Sequence, residues 1–146
     1  MFLCLISLGS IKRTNFILEL ILIDSVLILN STSYVDCQYA LGMQTGAILN
    51  GQVSASSEWD WNLAAHFGRL HYIPPIGNTG SWSARTNDAN QWLQVNLRIY
   101  SRVTRVASQG RHSVSQWVTK YKFQYGDDGT NFQYYIEEGG TAAKVK

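Results

Sequence analysis

The chain has 146 residues, of which 45% are hydrophobic and 15% charged, with a net charge of +2. That is enough apolar material for one packed domain and too ordered a composition for a disordered tail. So small a net charge excludes a protein held to nucleic acid by bulk charge. With only Cys4 and Cys37 as thiols, and His66, His71 and His112 at no metal-ligand spacing, a zinc-type Cys/His site is excluded and no cofactor is expected.

Met1–Asp36 is rich in Ile and Leu. Its most apolar run, FILELILIDSVLIL at Phe16–Leu29, holds Glu19 and Asp24. A bilayer span needs about twenty nearly uncharged residues, so no transmembrane helix is expected. Residues 1–36 read as a leader, either a signal peptide or a non-native extension. For the signal, Lys12 and Arg13 are the basic region and Ser31 and Ser33 the small residues before a cut near Ser33. The two acids count against it. Asn30-Ser31-Thr32 is a glycosylation sequon.

From Cys37 onward the pattern is that of strands and turns. Gln52–Ser57 is β-like. Glu58-Trp59-Asp60-Trp61-Asn62 places two indoles in a polar turn, and His71-Tyr72-Ile73-Pro74-Pro75-Ile76 is an apolar loop stiffened by its prolines. Gly77–Gly80 is a turn. Gln91–Leu97 alternates, with Leu93, Val95 and Leu97 on one face. Val103–Gln109 is a further β-like run, and Gly110–Gln116 is a polar connection.

Trp117–Tyr125 alternates again, with Trp117, Tyr121, Phe123 and Tyr125 inward and Lys120, Lys122 and Gln124 outward. The Asp127-Asp128-Gly129 turn and Asn131–Glu137 complete a hairpin. Trp92 and Trp117, both on strands, are expected to pack. No helical period appears after Cys37, so the fold class is all-β, an antiparallel sandwich or barrel. Ala89–Gly126 contains no acid and carries Arg98, Arg102, Arg105, Arg111, Lys120 and Lys122. Lys120 and Lys122 read as a solvated strand face, whereas Arg111 and His112 lie in a connection, where binding residues collect.

Several blocks occur in one order. They are Cys37, Ala40-Leu41-Gly42-Met43, Gly46-Ala47-Ile48, Val53–Ser57, Arg69-Leu70, Trp82-Ser83-Ala84, Gln91–Leu97, Ser108–Arg111, Trp117–Tyr121 and Asp127–Gly129. Together they resemble the discoidin domain, the coagulation factor type C domain. Asn96 stands where that pattern usually has Asp.

The resemblance implies a jelly-roll β-sandwich or barrel over residues 37–146, incomplete at its C-terminal end. The closing strands and a cysteine to form a disulfide with Cys37 would lie beyond Lys146. Without those strands the sheets are expected to stay open, unless the leader serves as a strand. The resemblance also implies a secreted, extracellular, non-catalytic cell-adhesion module that recognises cell-surface glycan or anionic membrane phospholipid through loops at one end of the barrel.

Those loops would be Glu58–Phe67, His71–Asn78 and Arg111–Gln116, with Trp59, Trp61, Asn62, Tyr72, Ile73, Arg111 and His112 as the ligand-binding residues. Indoles suit both sugar faces and bilayer interfaces, and Arg111 suits phosphate or carboxylate. Each has a plainer role open to it: the indoles as core, the 71–76 loop as a cap over the barrel end, Arg111 as a structural contact at the rim. A protein-interaction domain for a receptor or matrix protein, or a gene fragment without independent activity, are the rival readings. Catalysis finds no support: Glu58 and Asp60 are only two apart and no nucleophile elbow is present.

Overall fold

A computed structural model describes residues 2–7, 21–25, 39–77, 79–136 and 139–142. Among these described residues eight strands make two antiparallel sheets: β1 (Phe2–Ser7), β2 (Ile21–Ser25), β3 (Tyr39–Ala40), β4 (Val53–Ala55), β5 (Trp92–Asn96), β6 (Arg102–Ala107), β7 (Tyr121–Gly126) and β8 (Gln133–Tyr134). The five-stranded sheet runs β4-β5-β1-β7-β8 and the three-stranded sheet β3-β2-β6. The ordered helical turns are short 3-10 turns at Asn50–Gln52, Trp61–Leu63 and Ala65–Phe67. Among the described residues no helix is long and apolar enough to cross a membrane. The all-β jelly-roll class is what the alternation and the resemblance imply.

β5 shows why the sequence folds this way. Its burial alternates strictly, with Leu93 and Val95 fully enclosed and Leu97 buried beyond the strand end. They join Met43, Ile48, Val53, Ala65, Trp82, Ala84, Tyr121 and Phe123 in one core cluster. Tyr121 and Phe123 meet edge to face at 5.2 Å, a favoured aromatic geometry. Register places Val53 opposite Val95 and Ala55 opposite Leu93, so the core rows of β4 and β5 coincide.

β7 departs from the expected alternation in two places. Trp117 is not on the strand: β7 begins at Tyr121, and Trp117 is 60% exposed. The cause is local, because Arg111 N–H donates to Gln116 O and Gln116 N–H to Val114 O, folding residues 111–116 into a tight turn that delivers Trp117 to the surface. Gln124, expected to face water, is buried; its strand is flanked on both sides in the sheet, with position 4 of β1 opposite it on one side and Tyr134 of β8 on the other. Lys120 is exposed, and the Lys122 ammonium lies 5.1 Å from the centre of the Tyr134 ring, within cation–π range. Trp92 is half-buried on β5.

The Asp127–Gly129 turn lies at the end of the sheet opposite the loops of interest. Asp128 accepts from the N–H groups of Asn131 and Thr130 and from the Asn131 amide. These bonds, the Asn131 N–H foremost, hold its carboxyl well below the usual range.

Phe2–Ser7 pairs with β5 on one side and β7 on the other. Ile21–Ser25 pairs with β3 and β6. Residues of the segment read as a leader therefore occupy the middle of both sheets. Cys37, the Asn30 sequon and the Ser31 and Ser33 positions lie outside the described residues.

Candidate functional site: a loop rim at one end of the barrel

Antiparallel pairing fixes which connections share an end. β4 finishes, and β5 and β7 begin, at the same end of the five-stranded sheet. The long β4–β5 connection and the approach to β7 are therefore gathered there. Within them the chain folds into three loops, 58–67, 71–80 and 110–117.

Hydrogen bonds fasten these loops at their base. Trp59 N–H donates to Ser83 O at 2.8 Å, and Ser83 N–H to Leu63 O at 3.1 Å. The Thr79 hydroxyl donates to Asn62 O at 2.6 Å, and Arg111 Nε donates to Thr79 O at 3.3 Å. A second nitrogen of Arg111 donates to Gln116 Oε1 at 2.8 Å. His71 N–H reaches Gln109 Oε1 at 3.3 Å. All three candidate loops are joined through Thr79 and Arg111, so the rim is a preorganised surface.

The first loop is shaped by its acids. Asp60 caps the Trp61–Leu63 turn by accepting from Asn62 N–H at 2.8 Å, the usual way a short side chain satisfies a free backbone donor. Glu58 does the same for Ala65 N–H at 2.7 Å. Both carboxylates are thus committed to the backbone, and the indoles that follow each of them point outward: Trp59 is 51% exposed and Trp61 76%. The core role open to these indoles is not the one they take; the indole that does go inward is Trp82, whose Nε1 donates to Ser57 O at 2.8 Å.

In the second loop Tyr72 is half-buried and packs on Phe67 at 5.5 Å, while Ile73 is 74% exposed and Ile76 wholly so. Pro74 lies over Gly80, where a Cβ would come within 2.8 Å of the proline ring and the backbone φ is +68°. Glycine is needed there on both counts. The loop does not fold down as a cap; it holds its two isoleucines away from the core.

Of the residues expected from the sequence, Trp59, Trp61, Ile73 and His112 are at the surface. Asn62, Tyr72 and Arg111 are partly buried and build the rim. Asn78 lies outside the described residues. The alternation missed Trp117 and Val114, which are exposed on the third loop, and Ile76. The only signal for Trp117 was its nearness to the polar 110–116 connection.

Arg85, which donates to Glu58 O at 3.3 Å, and Lys120 add exposed cations at this end. Among the described residues, the buried oxygens Asn62 Oδ1, Ser81 Oγ and Ser83 Oγ have no hydrogen-bond partner. Among the described residues no group of three or more His, Cys, Asp or Glu is placed to hold a metal.

Comparison with known proteins agrees with this architecture. The F5/8 type C domain model matches residues 52–146. Bovine (Bos taurus) lactadherin is 36% identical over 115 residues, covering 75% of this chain and 27% of the relative. Rat (Rattus norvegicus) lactadherin is 36% identical over 109 residues, covering 70% of this chain and 25% of the relative. Bovine coagulation factor V is 34% identical over 114 residues, covering 75% of this chain and 5% of the relative. The chain thus spans about a quarter of the lactadherins and a twentieth of factor V. No solved structure gives a significant match. By the family model, and by the ordered blocks that build β4, β5, β7 and the loops between them, the chain belongs to the F5/8 type C domain family.

Proposed function

We propose that this domain is a non-catalytic, extracellular adhesion module that docks on anionic phospholipid membranes through the 58–63, 71–77 and 110–117 loops. The observation that carries the reading is the exposure of Trp61, Ile73 and Ile76 on loops fastened at their base. Large apolar side chains held in water have a use if they enter a bilayer interface, where indoles rest at headgroup depth and aliphatic chains go deeper. Sugar recognition would employ Trp59 and Trp61 but gives Ile73 and Ile76 nothing to do.

Charge has the smaller share. Arg85, Arg111 and Lys120 stand against Glu58 and Asp60 at this end, and a cation near an anionic surface contributes only about 1 kcal/mol. Burying an isoleucine contributes roughly 1.5–3 kcal/mol, so insertion dominates.

The test is sedimentation with vesicles of phosphatidylcholine, with and without phosphatidylserine. Trp61→Ala and the double variant Ile73→Ser/Ile76→Ser should each weaken vesicle binding by about ten-fold or more, the equivalent of 1.4 kcal/mol. Their melting temperatures should stay close to the parent's, because these side chains are already in water. Unchanged vesicle binding by both variants would defeat the proposal. Binding to a glycan array without binding to vesicles would favour sugar stacking on Trp59 and Trp61 instead.

A further inference from the structure

We infer that the gap between β5 and β7 is a strand-accepting site, that its occupant is Phe2–Ser7 of the same chain, and that this segment stays with the folded domain and is not trimmed from it. β5 and β7 are not paired with each other; each is paired with β1, over five register positions for β5 and six for β7. The other neighbour of β5 is β4, and that of β7 is the two-residue β8. Take β1 away and the five-stranded sheet separates into two two-stranded pieces. An isolated pair of strands is marginal in water, and two inner edges with unpaired N–H and C=O groups would face the gap.

The register also selects the occupant. Leu3 takes its place in the row of Val53, Val95 and Tyr125, and Leu5 in the row of Ala55, Leu93 and Phe123. Val95, Leu93, Val53 and Phe123 are core residues. Cys4 falls in the intervening row with Gln94 and Gln124. The gap thus takes a short extended segment, with Leu3 and Leu5 in the core rows and Phe2, Cys4 and Ile6 at the register positions between them.

A second observation points the same way. Ile21–Ser25, from the same N-terminal segment, is the middle strand of the other sheet, between β3 and β6. One stretch of chain supplies the centre of both sheets, so it cannot leave without opening both. Asp24 stays in the ladder, opposite Val103 on one side and Tyr39 on the other, and the register shift beside it falls at position 104 of β6.

Hydrogen exchange of the intact 146-residue chain tests this directly. Amides of residues 2–7 and 21–25 should be slowed by about a hundred-fold or more relative to unstructured peptide, in step with 92–96 and 121–126. Free exchange at 2–7 while 92–96 stays protected would overturn the inference. In the intact chain Leu5→Pro, which removes a ladder donor and distorts a central strand, should abolish the cooperative melt. An added peptide of residues Met1–Leu8 should restore it, and the same peptide carrying Leu5→Pro should not. A Leu5→Pro chain that melts like the parent, or restoration by both peptides or by neither, would equally overturn it.

Discussion

Trp82→Ala should remove about 3–5 kcal/mol of folding stability, a large part of the 5–15 kcal/mol that holds a domain together. Trp82 is 1% exposed and belongs to the core cluster that joins the sheet to the loops. Truncation leaves a cavity where an indole stood, and the surrounding residues are too constrained to refill it. Ser83, beside it, exchanges backbone hydrogen bonds with Trp59 and Leu63, and Val53, Leu93 and Val95 lie in paired strands. The variant also loses the bond from Nε1 to Ser57 O, leaving a partly buried carbonyl unmet at about 1–3 kcal/mol. Trp82→Phe separates the two effects: it keeps most of the volume and loses the bond, so it should cost less than half as much. Denaturant melts of the three proteins check this. A loss below about 1 kcal/mol for Trp82→Ala would show that the indole is not the keystone between sheet and rim.

Arg69→Met is the second large effect, expected at roughly 3–5 kcal/mol, as for several buried acceptors left without their donor. The guanidinium is buried and reaches three acceptors: His66 O from Nε at 2.9 Å, Met43 O at 2.8 Å and Asn50 Oδ1 at 2.9 Å. It ties the turn after β3, the 3-10 turn before β4 and the Ala65–Phe67 turn into one body. Methionine fills similar space but leaves all three oxygens without their donor, and a hydrogen bond to a charged group contributes about 1.5–3 kcal/mol. Lysine does not solve the problem: a single ammonium cannot span the fork that the guanidinium fills, so Arg69→Lys should recover less than half of the loss. Burial lowers the Arg69 pKa, with the nearby Tyr72 opposing that shift; arginine still keeps its charge throughout the working range. Melts that place Arg69→Met within 1 kcal/mol of the parent would contradict this account of how the loop layer is held.

Much of this was legible in the chain itself. WLQVNL at Trp92–Leu97 alternates because one face meets the core and the other does not, and the structure buries Leu93, Val95 and Leu97 as that pattern requires. The polar turn around Trp59 and Trp61 also announced itself, since Asp60 and Asn62 are turn formers and a core indole rarely sits between them.

Trp117 misled because alternation continues on paper past the point where the backbone stops being a strand. What ends it is a pair of hydrogen bonds within residues 111–116, which local periodicity does not record. Gln124 misled for a different reason: β7 has β1 as a neighbour as well as β8, so the strand is flanked on the side that an isolated hairpin would leave open. The central positions of Phe2–Ser7 and Ile21–Ser25 were hardest to see. A short apolar run reads alike as strand, buried helix or export signal, and the partners lie far off in sequence, at 92–96 and 121–126 for Phe2–Ser7 and at 102–107 for Ile21–Ser25. Arg69 was visible only as part of a family block, because nothing local says that an arginine will be buried.

The central claim is that the rim enters a membrane, and the emission of Trp61 reports on it most directly. Parent and Trp61→Phe proteins would be titrated with phosphatidylserine-containing vesicles whose acyl chains carry bromine, a short-range quencher. The account predicts that vesicles without bromine shift the parent's emission to the blue. Brominated chains should quench it, and Trp61→Phe should weaken both responses, the remainder coming from Trp59 and Trp117 on the same rim. Parent emission indifferent to anionic vesicles, or a blue shift with no quenching by brominated chains, would contradict it.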